Sequence, residues 1–582
     1  MAEAFFYVFT FAAAVAALTV CPKTEKKMNL LVGIMTSYVT VLCIGAVGAL
    51  AIHISGIPVC LPSMGVVYVL IAFGGFLISV MKRQRQRFFI RSRDVLAVLL
   101  CILIVGMISL SIFTPYLHIN YANAYDPSNH YYWAMEVARD QRLSGMFFAP
   151  LYNGMFISLF QWLLPTEWTY KAFILADIFH TIMEFLFFYS VIEAITEKSK
   201  KKWKPLIISI VYWCGYPLFC FAAGGYVYWG MAAMLIEYVF LLLKWYEEKT
   251  DGKRMALCLT VTGCFAISVC YIQLAPGIFI TFFGVIVYHM LIEKKLQFSK
   301  KSLMILFIGA AAAIVCALIG YQMIFASRGI EIFKQLKEGS MNTNALELLV
   351  LSPFVIMVMA EVKRRKEKWN VFHIGLFVYM GMQLVMTCMA GAGLISTYYL
   401  FKTYIILWFL VFAILAQKSG YIGEKGKKYL GIYLLGVFCF LTLSYNGKES
   451  GPVSVKNSIY MQNIDVFVNT DFSAGYMSDN GKLYLFQYAM EEIGEEVPTV
   501  PLVVTNERVG AGSWYCGLYR RGSYLVRPTW TEEEFRSVLQ TIDAKYFIVF
   551  YDDLIYRELL HDHLETYEKV FENENGFIAK YN

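Results

Sequence analysis

Apolar runs of roughly twenty residues recur from the first residues of the chain to about position 445. Each is about the length a helix needs to cross ~30 Å of hydrocarbon, and a backbone in lipid must satisfy its own hydrogen bonds, so only a helical bundle suits them. Of the 582 residues, 58% are hydrophobic and 16% charged, too few charges to solvate that many helices in water. The fold class that follows is mainly α, a polytopic transmembrane bundle. Residues 4–20 carry no preceding basic residue and are followed by Lys23, Lys26 and Lys27. That order is wrong for a cleaved signal, so a first helix with its N-terminus outside is expected. The 13 cysteines make no CxxC framework, and neither a zinc site nor a disulfide scaffold is implied.

Orientation follows from where the positive charges lie, since short loops rich in Lys and Arg stay cytoplasmic. Basic clusters occur at 23–27, 82–93, 198–204, 244–254, 294–301, 363–368 and 418–428, and hold 31 of the 38 Lys and Arg residues before position 446. About fourteen spans fit between them: 4–20, 29–52, 64–81, 95–115, 169–194, 205–222, 226–244, 255–273, 275–293, 302–325, 345–362, 371–390, 396–416 and 429–445. The run 146-MFFAPLYNGMFISLFQWLL-164 is not counted. As a span it would turn 22 of those basic residues outward, and Pro150 and Gly154 interrupt it, so a re-entrant or interfacial segment is expected. The stretch 116–168 then lies outside, as does everything after 446.

The composition changes near Ser444. Residues 446–582 hold 12 basic against 21 acidic residues, whereas the part before holds 38 against 22. A small extracytoplasmic α/β domain is expected there, with strands at 500–504, 523–526 and 545–551, helices at 512–520, 531–542 and 554–564, and a closing hairpin at 567–581. Its 510-GAGSWY-515 has Tyr515 in the place of the third glycine of a dinucleotide fingerprint, so no such cofactor is expected.

Chemistry concentrates in 123-NAYDPSNHYYWAMEVARD-140. Asp126 followed by Pro127 has the order of an N-cap and first helical residue, and a helix over 127–142 with Tyr131, Tyr132 and Trp133 suits the headgroup level. Capping alone accounts for the acid. His130 one turn later points to the same side, so a carboxylate and an imidazole converging on one ligand is the chemical alternative. Further on, Asp177, His180 and Glu184 share one face of the span 169–194, where a charge costs ~2.5 to 3.5 kcal/mol unless it meets a polar cavity or a partner. A self-satisfied network and a substrate or proton path both fit them. Lys402 lies about 9 Å inside the outer boundary at ~1.5 Å per residue, beside Tyr398, Tyr399 and Tyr404, and either snorkels or meets a headgroup. Arg328, in the outer loop 326–340, is a second candidate cation. Tyr226, Tyr228 and Trp229 line a sugar site or form an aromatic belt.

A helix rising to the outside, an acidic first loop with a short interfacial helix, a Pro-Leu element at 149-APL-151, a descending helix, many further spans and an outer C-terminal domain resemble the GT-C superfamily of membrane glycosyltransferases. Residues 95–445 carry the resemblance, with Asp126 in the place of the loop acid; residues 1–94 are three additional helices and 446–582 the soluble domain. The resemblance implies inverting transfer of a sugar from a polyprenyl-phosphate carrier to the hydroxyl of a glycan, lipid or protein acceptor, at the outer face of the plasma membrane. Asp126 is then the general base, and His130, Lys402, Arg328, Tyr399 and Tyr228 bind substrate, with Asp177, His180 and Glu184 as a supporting polar network. No second acid adjoins Asp126, the next being Glu136, which leaves a divalent metal in doubt and no other cofactor called for. A nucleic-acid partner is not expected; the lipid bilayer is. A transporter or flippase of lipid-linked saccharides, working through Asp177, His180, Glu184 and Glu237, is the alternative from another class, although no hydropathy repeat supports it. A noncatalytic envelope scaffold is a third.

Overall fold

The computed structural model describes residues 1–21, 27–82, 86–113, 125–144, 147–164, 168–196, 202–215, 227–248, 253–291, 368–396, 398–417, 546–551 and 567–581, with isolated positions between 353 and 364 and between 484 and 489. Among the described residues the membrane part consists of helices α1 (Ala2–Val20), α2 (Leu30–Ile54), α3 (Leu61–Lys82), α4 (Ser92–Phe113), α5 (Tyr125–Asp140), α6 (Phe148–Phe160), α7 (Thr169–Thr196), α8 (Lys204–Gly215), α9 (Val227–Glu248), α10 (Lys253–Cys270), α11 (Ala275–Leu291), α12 (Val371–Gly391) and α13 (Tyr398–Gln417). By length and composition six of these, α1, α2, α3, α7, α9 and α12, can cross a membrane; α6, α8, α10, α11 and α13 are shorter apolar helices. The expected spans 302–325 and 429–445, and most of 345–362, lie outside the described residues.

Burial sorts the helices. Nearly nine-tenths of the apolar window of α9 is buried (89%), against 22% for α1 and 28% for α3. Helix α9 is therefore the hub, whereas α1 and α3 pair with each other and turn Phe5, Phe9, Leu70, Phe73 and Phe76 outward. In water such a face would be costly, and in hydrocarbon it is the expected surface.

Hydrogen bonds between helix ends show that the chain alternates between two ends of the bundle. At one end, the start of α2 meets the start of α4, where Asn29 donates to Asp94 at 3.0 Å, and the far end of α7 joins them, where Tyr189 donates to Asp94 at 2.8 Å. A two-residue parallel pairing of β1 (Met28–Asn29) with β2 (Phe88–Phe89) lies beside this junction. Glu193 takes Arg93 at 2.5 and 2.7 Å and also pairs with Arg91. Lys204, opening α8, donates to the Ala416 carbonyl near the end of α13 at 2.8 Å. All of the described basic segments fall at this end. At the other end the Trp229 indole, in the first turn of α9, donates to the Lys402 carbonyl in α13 at 2.8 Å. The backbone of Val59, between α2 and α3, donates there to the Gln141 carbonyl just after α5 at 2.7 Å.

Helices α5 and α6 both sit at this second end, between the end of α4 and the start of α7, and neither crosses. Residues 146–164 contain a 13-residue helix, about 20 Å long at ~1.5 Å per residue and short of the hydrocarbon thickness. The expected interruption takes a different form. Pro150 stands third in α6, in the first turn, where its missing N–H would have had no helical partner anyway. Gly154 does not break the helix either; a Cβ on it would lie 2.7 Å from the Ala134 carbonyl oxygen and from Val137 Cβ, so glycine is what allows α5 to lie against α6. The first helix of the loop begins at Tyr125 rather than 127, which puts Asp126 inside its first turn instead of before it.

At the C-terminus, strands β3 (Tyr546–Phe550), β4 (Tyr567–Asn573) and β5 (Gly576–Tyr581) form an antiparallel sheet in the order β3-β5-β4, with Ile548 opposite Ile578. The hairpin of β4 and β5 occupies the expected 567–581. The other elements expected in this region, at 500–542 and 554–564, lie outside the described residues.

Candidate functional site

The second end of the bundle gathers an aromatic and cationic cluster from four elements. Tyr228 and Trp229 open α9, Tyr271 follows α10 and precedes a 3-10 turn (Ile272–Leu274), Lys402 is the fifth residue of α13, and His130 lies on α5. The Lys402 ammonium donates to the Tyr228 hydroxyl at 2.7 Å. It also stands 5.0 Å from the Tyr228 ring centre and 5.1 Å from that of Tyr271, within range of the attraction between a cation and an aromatic face. The His130 ring stacks on Tyr228 with centroids 4.2 Å apart, and Trp133 meets His130 edge-on at 5.0 Å.

Local sequence explains the placement. The α9 backbone is held at its first turn by the Trp229 bond to the Lys402 carbonyl and by the Cys270 thiol, which donates to the Tyr228 carbonyl at 3.3 Å. Gln383 of α12 donates to the Leu400 carbonyl at 3.2 Å, and the Thr403 hydroxyl donates back to the Gln383 side chain, so α12 fixes the turn of α13 that carries Lys402. Tyr131, beside His130, bonds Thr169 at 2.7 Å and ties α5 to the start of α7.

Lys402 does not snorkel; it is 2% exposed and directed into the cluster. Tyr228, 5% exposed, is interior rather than part of a lipid-facing belt. Burial, and then the positive charge of Lys402, pull the pKa of His130 down to about 3. Near neutral pH the imidazole is uncharged and presents one donor and one acceptor nitrogen. The ammonium and the rings thus make a buried cluster beside which an anionic group would meet a strong field.

Of the residues the sequence singled out, the structure brings together His130, Tyr228 and Lys402. Asp126 stands one helical turn before His130 on the same face of α5, with its side chain outside the described atoms, as is that of Tyr399; Arg328 lies outside the described residues altogether. Asp177, His180 and Glu184 are all buried in α7, but no hydrogen bond joins them. Asp177 accepts from the Asn153 amide of α6 at 3.0 Å, both His180 nitrogens are buried without a hydrogen-bond partner among the described residues, and Glu184 rests on α9. Among the described residues no three His, Cys, Asp or Glu side chains are grouped as metal ligands. Tyr271 is a member of the cluster that sequence reading did not single out, and Trp133, read there only as a headgroup-level aromatic, packs on His130. The break at 270-CYIQLAP-276, an aromatic residue set between two apolar helices, was the available signal for Tyr271. Comparison of the chain with protein-family models and with curated proteins gives no match.

Proposed function

We propose that this chain is an integral membrane glycosyltransferase of GT-C type, moving a sugar from a polyprenyl-phosphate carrier to an acceptor hydroxyl at the outer face of the plasma membrane, in assembly of an envelope glycan or glycolipid. The observation that carries the reading is the buried Lys402 ammonium, bonded to Tyr228 beside the neutral His130, one helical turn from Asp126. In this reading Asp126 takes the proton of the acceptor hydroxyl, whose oxygen forms a bond to the anomeric carbon from the face opposite the leaving group. The bond from that carbon to the phosphate oxygen breaks, and its electron pair leaves with the lipid phosphate. Lys402 offsets the charge that develops there, and a fixed cation in a site with little water needs no reorganisation as the charge grows. The aromatic faces of Tyr228 and Tyr271 suit the apolar face of a sugar ring.

Transfer from radiolabelled polyprenyl-phosphate sugars by the purified chain in liposomes tests this. Product is expected, and Lys402→Met should lower its rate by ~10² to 10³, the usual cost of one charge-stabilising donor. The transporter or flippase reading draws on the buried carboxylates Glu184 and Glu237. Movement of lipid-linked saccharide across the liposome with no glycosyl product would replace the first reading by the second.

A further inference from the structure

Deeper in the bundle the hub helix carries a second polar feature. Gly230 stands two residues after Tyr228, and a Cβ on it would lie 2.1 Å from Oε2 of Glu184 and 3.0 Å from its Cδ. The α7 carboxylate therefore lies against the α9 backbone at a point where only glycine leaves room. Glu237 follows seven residues later, about two turns on, and so lies on the same face of α9. Glu184 is 3% exposed and Glu237 1%. Among the described residues, neither oxygen of Glu237, nor Oε1 of Glu184, has a hydrogen-bond partner.

The two carboxylates act on each other electrostatically, and both act on the hydroxyl of Tyr212 in α8. That hydroxyl is buried and has no hydrogen-bond partner either. From α4, Cys101 also feels Glu184, while its thiol donates to the Ile182 carbonyl. The described cations on or beside these helices are engaged elsewhere: Lys204 with the Ala416 carbonyl, Lys171 with the Trp168 ring, Lys244 with Glu247 and Glu248, Arg91 and Arg93 with Glu193, Lys402 with Tyr228. His180, one turn before Glu184 on α7, forms no hydrogen bond to either acid.

Two bare carboxylates in a low-dielectric interior are opposed both by lost hydration and by each other. A purely structural network would join them through hydrogen bonds, and the hydroxyl best placed to donate reaches neither. Positive charge must therefore accompany them. The donors are all oxygen, which excludes soft metal ions, and among the described residues they fall short of the three or more acidic, His or Cys ligands expected of a divalent or transition-metal site. We infer that Glu184, Glu237 and Tyr212 form a binding site within the membrane for a small monovalent cation, a proton or a sodium ion, held between α7, α8 and α9. The site is distinct from the Lys402 cluster and does not depend on the transferase reading.

The full chain, purified in detergent at ionic strength held constant with choline chloride, provides the test, with no activity readout. Bound proton is expected as an infrared carbonyl band of a protonated carboxylic acid in the wild type, shifted in heavy water and lost in Glu237→Gln or Glu184→Gln. Bound sodium is expected as a rise in Tm of about 2–4 °C on replacing choline by sodium, lost in the same variants. Tyr212→Phe keeps the ring packing and should weaken whichever signal is present. A wild type with neither signal overturns the inference, and needs no variant to fold. A signal that persists unchanged in both glutamine variants overturns it as well.

Discussion

Asp126 and His130 make separable forecasts at the scale of single residues. Asp126 lies in the first turn of α5, where the helix dipole favours a carboxylate over an amide by only ~0.3–1 kcal/mol, so Asp126→Asn should leave Tm near that of the parent. An amide cannot take up a proton at neutral pH, and general bases typically contribute ~10² to 10⁴-fold, so transfer by Asp126→Asn should fall by about that factor. Glu136→Asn, almost three turns along the helix, should do much less; parental transfer by purified Asp126→Asn would remove the acid from the mechanism. For His130 the readout is stability against pH. Its pKa is about 3 in the folded protein, below the ~6.5 of an exposed histidine, so between those values the unfolded chain binds a proton that the folded one does not. Stability is whole above pH ~6.5 and falls as pH drops toward 3, with ~2 kcal/mol of the loss at pH 5 due to this one group. His130→Phe keeps a ring against Tyr228 and should therefore lose less Tm than the wild type between pH 7.5 and pH 5. Equal losses in the two proteins would mean that the imidazole is not held neutral by its surroundings.

Among elements, the pairing of α5 with α6 matters most, because α5 carries both Asp126 and His130. Its closeness rests on Gly154, where an added methyl would meet the α5 backbone at Ala134 as well as the branched Val137 side chain. Backbone cannot swing aside as a side-chain tip can, so Gly154→Ala should cost ~1–3 kcal/mol of stability and displace His130 from Tyr228. Gly74→Ala is the control, since a Cβ there meets nothing within 4 Å. Thermal unfolding of both proteins checks the forecast; equal Tm values would show that α5 and α6 are free to part. At the opposite end, the Asp94 and Glu193 clusters bind the basic approach to α4 to the ends of α2 and α7. Some of the charge that marks this end in the sequence is therefore structural cement as well as an orientation signal.

For the whole molecule, the alternation of helix ends puts the described basic segments on one side and α5, α6 and the Lys402 cluster on the other. Positive loops stay cytoplasmic. A cysteine introduced at Ser128 should accordingly react with a membrane-impermeant thiol reagent added outside intact cells, and one at Ser199 only after the membrane is opened. The reverse pattern would put the cluster on the cytoplasmic face and exclude transfer at the outer one. Exposed phenylalanines on α1 and α3 are consistent with these helices lying at the lipid boundary, beside rather than within the core that surrounds α9.

Hydrophobic run length is local information, and it was enough to locate α1–α4 and α7–α13 within a few residues, except that α8 is described only to Gly215; α5 is legible from its Asp-Pro start, and the basic loops around 146–164, rather than any interruption of its helix, set that segment apart from the spans. It also marked Asp126, His130, Tyr228 and Lys402, because charge and aromatic rings are conspicuous in an apolar chain. Which of them meet is not local. Tyr228 and Lys402 lie 174 residues apart and come within 2.7 Å only because α9 and α13 start at the same end of the bundle. Asp177, His180 and Glu184 look like one network by helical spacing, yet Asp177 meets α6 and Glu184 meets α9, and no hydrogen bond joins the three. Gly230 reads as one small residue among 41 glycines until the Glu184 carboxylate is found against it. Sequence thus determined the elements and the chemistry available, while packing between distant helices alone decided which groups share a site and which acids are left buried without a partner.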